Sequence, residues 1–169
     1  YYNDPNWLDT FVSSAIDGTG AFAGESDGVR KQGIQKGIQN QVMIAWAIHE
    51  LVAALAKADD GNFDADKGAP HNWDEAWAFY AGVEPGSGPF GTADKRGGNF
   101  GTGSAVNDSI LAAMNAGRDA LLSGDTATAR SASSEITKQI QITYIQATIR
   151  YASKVNADLA AGDSEKART

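Results

Sequence analysis

The 169-residue sequence has no cysteine, which removes disulfides, thiolate catalysis, zinc ribbons and iron–sulfur clusters together. Histidine is nearly absent as well. With only His49 and His71, a HExxH site or a His-rich metal cluster is excluded. Basic charge is scarce: 14 Lys and Arg stand against 21 Asp and Glu, for a net charge of −7. Neutralising nucleic-acid phosphates needs cations gathered on one face, and no such cluster exists, so nucleic acid is excluded as a partner. For the same reason there is no polybasic patch for anionic lipid. No apolar run is long enough to cross a bilayer either. The longest, Val42 to Ala56, covers about fifteen residues with His49 and Glu50 inside it, where a span needs roughly 20. It reads as a buried helix, and no membrane insertion is expected. The GxSxG elbow, the Walker loop and the strand-led dinucleotide fingerprint are all missing. The chain opens on Tyr1 rather than Met, which reads as a processed or excised product.

The hydrophobic fraction of 42% and the four tryptophans argue for a folded core, and the length suits a single domain over 1–169. Periodicity is helical throughout, with no run of alternating strand residues. Asp4 and Pro5 open a helix carrying Trp7, Leu8, Phe11, Val12 and Ala15, which Gly18, Gly20 and Gly24 end. Asp27 opens a long helix to about Ala58, with Ile34, Ile38, Val42, Ala45, Ile48, Val52 and Leu55 as its apolar stripe. Gly33 and Gly37 share one face of it and admit a close neighbour. Asn72 and Glu75 have capping-box spacing for a helix ending near Ala81. Further helices are expected from Ser104 to Leu122 and from Asp125 to Ala161, joined by a tight Ser123-Gly124-Asp125 turn. Eight of the 19 glycines fall between Gly82 and Gly103, and that stretch is expected to be a long loop. The predicted fold is an all-α bundle of four to five helices with one glycine-rich excursion over 82–103.

Several polar residues stand where the pattern asks for core. His49 and Glu50 lie in the most apolar helix; a core histidine satisfied by a backbone carbonyl competes with a metal role, and a buried acid needs a partner. Tyr144 and Tyr151 fall on one stripe with Ile136, Ile140, Ala147 and Val155, where tyrosines are commonly packing residues with a satisfied hydroxyl. Trp73, Trp77 and Tyr80 share a face, and Asp74 and Glu75 complement the helix dipole there. Lys95 and Arg96 within the glycine-rich stretch make a candidate anion cradle, against a solvated charge pair. The acidic run from Asp59 to Asp66 has calcium-type oxygens without EF-hand order, which allows only weak Ca2+ binding. Asn107-Asp108-Ser109 is a glycosylation sequon, meaningful in a protein secreted from a eukaryote.

HNWDEAWAFYAG, then TADKRGGNFGTG, then ITYIQATIRYASK resemble, in that order, the low-iron-inducible periplasmic proteins of algae, iron-assimilation proteins whose relatives include the phytotransferrins. The resemblance implies an extracellular, periplasmic or cell-surface protein binding ferric iron with a carbonate-type anion, either standing alone or as one repeat of a larger secreted chain. Ferric ion is hard and takes phenolate, carboxylate and imidazole. His49, Glu50, Glu75, Tyr80, Tyr144 and Tyr151 supply that menu, and Lys95 and Arg96 would hold the anion. The alternative is a non-enzymatic structural or cell-surface module using 82–103 as its contact surface. Hydrolysis by a Glu50/Glu75 pair with His49 ranks last, so no enzyme is expected. Self-association stays open.

Overall fold

The computed structural model describes residues 4–168. Among them it contains no strand and eight α-helical segments: α1 (Trp7–Asp17), α2 (Asp27–Gly37), α3 (Ile44–Asp59), α4 (Ala69–Ala81), α5 (Pro89–Phe100), α6 (Ala105–Leu122), α7 (Thr126–Ala160) and α8 (Ser164–Arg168). A π turn over Ile38–Met43 links α2 to α3 without a break, so the segments form seven rods. The class is all-α, as expected; the helix number exceeds four to five. The chain divides into two compact units, residues 43–150 and a second made of the flanking 4–42 and 151–168.

In the flanking unit, α1 lies on α2 through the glycines that the sequence marks. A Cβ at Gly33 would stand 2.4 Å from the Phe22 ring, and one at Gly37 would stand 3.0 Å from Val12. Phe11 meets Phe22 edge-on at 5.1 Å. Arg30 of α2 donates from Nε to the Ala15 carbonyl at 2.9 Å and from Nη2 to that of Ile16, capping the C-terminus of α1 with a cation. At the other end of this unit, α8 is tied down by Glu165 accepting from Ser26 Oγ and by an Arg168–Glu25 ion pair.

The 43–150 unit holds the larger core. The face that α3 buries is Ile44, Ala47, Leu51, Ala54 and Ala58, alternating steps of three and four residues. The expected apolar stripe is buried only in part: Ile48 and Leu55 pack against the core, whereas Val42 is 39% exposed and Val52 is 61% exposed. The π turn lies just before α3, and its wider i→i+5 turn rotates later side chains around the axis relative to an unbroken α-helix. Small alanines on α3 let α4 approach with Ala69, Trp73, Ala76 and Tyr80. α6 adds Val106, Ile110, Met114 and Leu121, and α7 adds Ala129, Ile136 and Ile140. The segment Asp27–Asp59 is the one stretch among the described residues long and apolar enough to cross a membrane by length and composition. A packed core helix passes the same test, and the α3 half of this segment is spent on α4.

The expected glycine-rich loop is largely helix. A short 3-10 turn at Pro85–Ser87 leads into α5, which starts at Pro89 after an extended Gly88 and stops at Gly101 in the left-handed region. Glycine's poor helix propensity argued for a loop, yet two of these glycines are where other backbone must pass. A Cβ at Gly91 would lie 2.4 Å from the Gly86 carbonyl oxygen, and one at Gly97 would lie 1.8 Å from that of Gly103. Gly98 faces open space. Neighbouring substitutions should thus have opposite signs. Gly98→Ala should stabilise by roughly 0.5–1 kcal/mol through chain entropy and helix propensity. Gly97→Ala should cost about 2 kcal/mol or more by forcing backbone apart. Urea unfolding of the two variants checks this, and equal effects would mean that 89–100 is not a packed helix.

α4 also begins earlier than its capping-box spacing predicts, at Ala69 after Gly68 with Pro70 in the first turn. Asn72 is then an interior residue, freed from capping, and buried. The terminal signals of α7 hold: Asp125 accepts from the Thr128 backbone N–H at 3.0 Å and from its hydroxyl at 2.6 Å.

Candidate functional site

The six metal candidates and two anion candidates separate into distinct places. Two of them, Tyr80 and Tyr144, pack in or against the same core, with Tyr80 inside a buried polar cluster. Tyr80, near the C-terminal end of α4, is 2% exposed and donates its hydroxyl to Asn107 Oδ1 of α6 at 2.6 Å. Asn107 Nδ2 in turn donates to the Phe90 carbonyl at 3.0 Å and to Asp94 Oδ1 of α5 at 2.8 Å. Tyr144 of α7 packs against the same core. Burial raises the Tyr80 hydroxyl pKa well above its ordinary value near 10, and the charges of Tyr144 and Asp94 raise it further. Burial likewise raises that of Tyr144. Tyr80 is thus close enough to the Tyr144 phenol of α7 and the Asp94 carboxylate of α5 for their charges to act on it.

This coupling predicts a weakness in base. An unfolded tyrosine loses its proton near pH 10, while Tyr80 and Tyr144 keep theirs to higher pH when folded. Above about pH 10 the unfolded state therefore binds fewer protons than the folded one, and stability falls as pH rises. Melting temperature should drop through that range in the wild type, and the drop should flatten in Tyr80→Phe/Tyr144→Phe. Parallel curves would show that neither hydroxyl titrates late.

A second cluster lies between α3 and α4. Glu50 is 6% exposed and accepts from Asn72 Nδ2 at 2.5 Å through Oε2. The same Nδ2 donates to Glu75 Oε2 at 3.4 Å, and His71 Nε2 stands 3.4 Å from Glu75 Oε1. Glu75 and Tyr80 are five positions apart on α4, about 140° around its axis, so the two clusters use different faces.

The remaining candidates stand apart. His49 is exposed, tilted against Trp46 with ring centroids 4.9 Å apart, and diverges from its buried neighbour Glu50 by about 100° of helix turn. Tyr151 is 45% exposed and belongs to the flanking unit, so the expected continuous stripe from Tyr144 does not stay buried. Lys95 is exposed and Arg96 half-buried, both on α5 immediately after Asp94. Their backbone sits within a helix, so the loop cradle of free N–H groups is absent. In the acidic run, Asp64 Oδ1 accepts from the backbone of Asp66 at 3.0 Å and Lys67 at 2.9 Å, while Asp59 pairs with Arg130 at 2.8 Å. Among the described residues, no group of three or more His, Cys, Asp or Glu side chains is arranged to hold a metal.

Asp94, Asn72, His71 and Asn107 are the participants that sequence reading did not assign to a site. Asn107 carried the sequon signal, but its side chain is 3% exposed with both polar atoms bonded, so the folded chain does not present it for glycosylation. A polar residue in register with Ile110, Ala113 and Leu121 on the buried face of α6 was the available clue.

No curated protein and no solved structure matches this chain. A family pattern does: that of Fea1, described as low iron-inducible periplasmic protein, matches residues 2–168. With that span covered, the chain belongs to the Fea1 family of low iron-inducible periplasmic proteins.

Proposed function

We propose that this protein binds ferric iron as cargo during iron acquisition, through Tyr80, Tyr144 and Asp94, and that it does so as a binding protein without catalysis. The observation that supports this reading is the buried Tyr80 phenol of α4, with the partly buried Tyr144 phenol of α7 and the Asp94 carboxylate of α5 close enough for their charges to act on it. Burial alone keeps both phenols protonated. A trivalent cation supplies the compensation that phenolate formation lacks, and phenolate with carboxylate is the donor set a hard ion prefers. Asn107 holds the Tyr80 oxygen and the Asp94 carboxylate on a common amide, so the two are positioned before any ion arrives. Lys95 and Arg96, directly after Asp94 on α5, are the candidates for a carbonate-type anion accompanying the metal. Membership of a low-iron-inducible family agrees with an iron cargo. The contact-module alternative loses support because more than half of its 82–103 loop is the helix α5.

Ferric citrate titration of the full chain, with and without bicarbonate, tests the reading. Binding should give a visible phenolate-to-iron absorption band and a higher melting temperature. Ligand at a hundred times its dissociation constant stabilises by about 2.7 kcal/mol. Dependence of both signals on bicarbonate supports the anion; a folded protein with neither band nor shift would remove the ferric reading.

A further inference from the structure

α3 is apolar nearly all round, yet only one of its sides is covered. Ile44, Ala47, Leu51, Ala54 and Ala58 form the buried seam. On the opposite side Ala45, His49, Val52 and Ala56 repeat the same alternation of three and four residues, and all four are exposed. Trp46, 48% exposed, and the half-buried Ala53 flank them. None of these six positions holds an acid, a lysine or an arginine, in a chain of net charge −7. A helix without a charged face is normally enclosed on all sides, and a contiguous apolar patch left on a surface marks a place where something docks. The three-four spacing is the pattern by which one helix receives another.

From this second seam we infer that α3 pairs with α3 of a second copy of the chain, antiparallel about a two-fold axis at His49. In that register, positions equally far before and after His49 face each other. Trp46 of one copy lies over Ala53 of the other on one side of the axis, and Val52 lies over Ala45 on the other side. Each pair sets a larger side chain against an alanine, so one face serves as both knob and hole. Complementarity of a face to itself in size is what a second copy requires and a foreign partner does not. Charge points the same way. Two chains of −7 repel wherever their acids meet, and this seam lets them approach without placing an acid in the contact. A membrane surface is a poorer fit, because helices that lie on one carry lysines and arginines beside their apolar face. Phe79 of α4 extends the patch, its ring centroid 6.3 Å from that of Trp46. The face then offers about 500 Å2 per copy, roughly 1,000 Å2 in the pair, at the lower limit of specific pairing. A weak, reversible dimer in the micromolar range follows.

Sedimentation velocity of the full chain from about 1 to 200 µM is the test, and wild type should pass from monomer to dimer across that range. Ala45→Glu/Val52→Glu sets acid against acid on one side of the axis, at positions that are exposed in the single chain. It should weaken pairing at least about tenfold with unchanged far-ultraviolet circular dichroism, and Ala45→Lys/Val52→Lys should do the same. Mixing the two variants should restore the dimer. Because the sequence has no cysteine, a single introduced thiol reports the register. His49→Cys brings two thiols together on the axis and should form a disulfide-linked dimer under mild oxidation. Leu111→Cys, at a position 45% exposed on α6, should not. Wild type that stays monomeric throughout overturns the inference. So do undiminished pairing in either charged variant, a mixture that stays monomeric, and equal cross-linking at the two thiols. A monomer that floats with phosphatidylcholine vesicles, and loses this in Ala45→Glu/Val52→Glu, would give the seam to a membrane and equally overturn it. Failure of the ferric band would leave the result untouched.

Discussion

Gly117→Ala is expected to destabilise the 43–150 unit by about 3 kcal/mol, although alanine is the better helix former by nearly 1 kcal/mol. The reason is the Trp73 indole, which is 1% exposed and lies across the face of α6 where Gly117 leaves a gap. A Cβ at Gly117 would fall 1.9 Å from Trp73 Cζ2 and 2.6 Å from two further ring atoms. The ring has no room to retreat, because Trp73 Nε1 donates to the Met114 carbonyl one turn earlier on the same helix, at 2.9 Å. Moving the indole would break that bond and leave a buried donor unpaired. Denaturant unfolding measures the loss. Trp73→Phe, which shortens the ring on this side, should cost stability alone but recover part of the Gly117→Ala penalty when combined. Strict additivity in that double-mutant cycle would mean that the two residues do not meet.

The same contact shows where the sequence was legible and where it was not. Trp73 and Tyr80 announce themselves as core by size and spacing, and the caps of α7 follow from Asp125 because capping is local chemistry. The buried face of α3 is hidden because four of its residues are alanine or a carboxylic acid, whereas Val42 and Val52 look more hydrophobic and are exposed. With α3 apolar nearly all round, periodicity alone leaves the inward stripe open, and the π turn at Ile38–Met43 changes the register in which α3 follows α2. α5 was obscured for a related reason. Gly91 and Gly97 weaken the helix locally and are kept because other backbone crosses them, a fact invisible until the chain is folded. For the site, residue types were the readable part: Glu50 and Tyr80 are buried in polar clusters, Tyr144 packs against the core, and Glu75 stands half-exposed at the edge of the Glu50 cluster. Their division into two clusters depends on how α3, α5, α6 and α7 surround α4, and the amides that organise them, Asn72 and Asn107, each carried a stronger local signal of another kind.

Tyr80→Phe/Tyr144→Phe is expected to abolish iron-dependent visible absorption while far-ultraviolet circular dichroism stays close to wild type. The double change removes two oxygens and keeps both rings, so the packing of Tyr80 on Phe90 and Trp77 survives. Its stability cost is about 1–3 kcal/mol, mainly because Asn107 Oδ1 loses the Tyr80 donor and becomes a buried acceptor without one. Asn107 keeps its bonds to the Phe90 carbonyl and Asp94, which limits the disturbance to that oxygen. Tyr151→Phe is the matched control: the residue is 45% exposed and belongs to the flanking unit, and its loss should leave the band and the iron affinity unchanged. The single variants then separate the two hydroxyls. Both phenols are neutral at neutral pH in the iron-free protein, so each one that ligates ferric ion must release a proton. Iron binding should consequently tighten as pH rises, and each single Phe variant should release one proton fewer per iron than wild type. Should the band persist in the double variant, neither phenolate is a ligand, and iron uptake in this unit would have to rest on carboxylates alone.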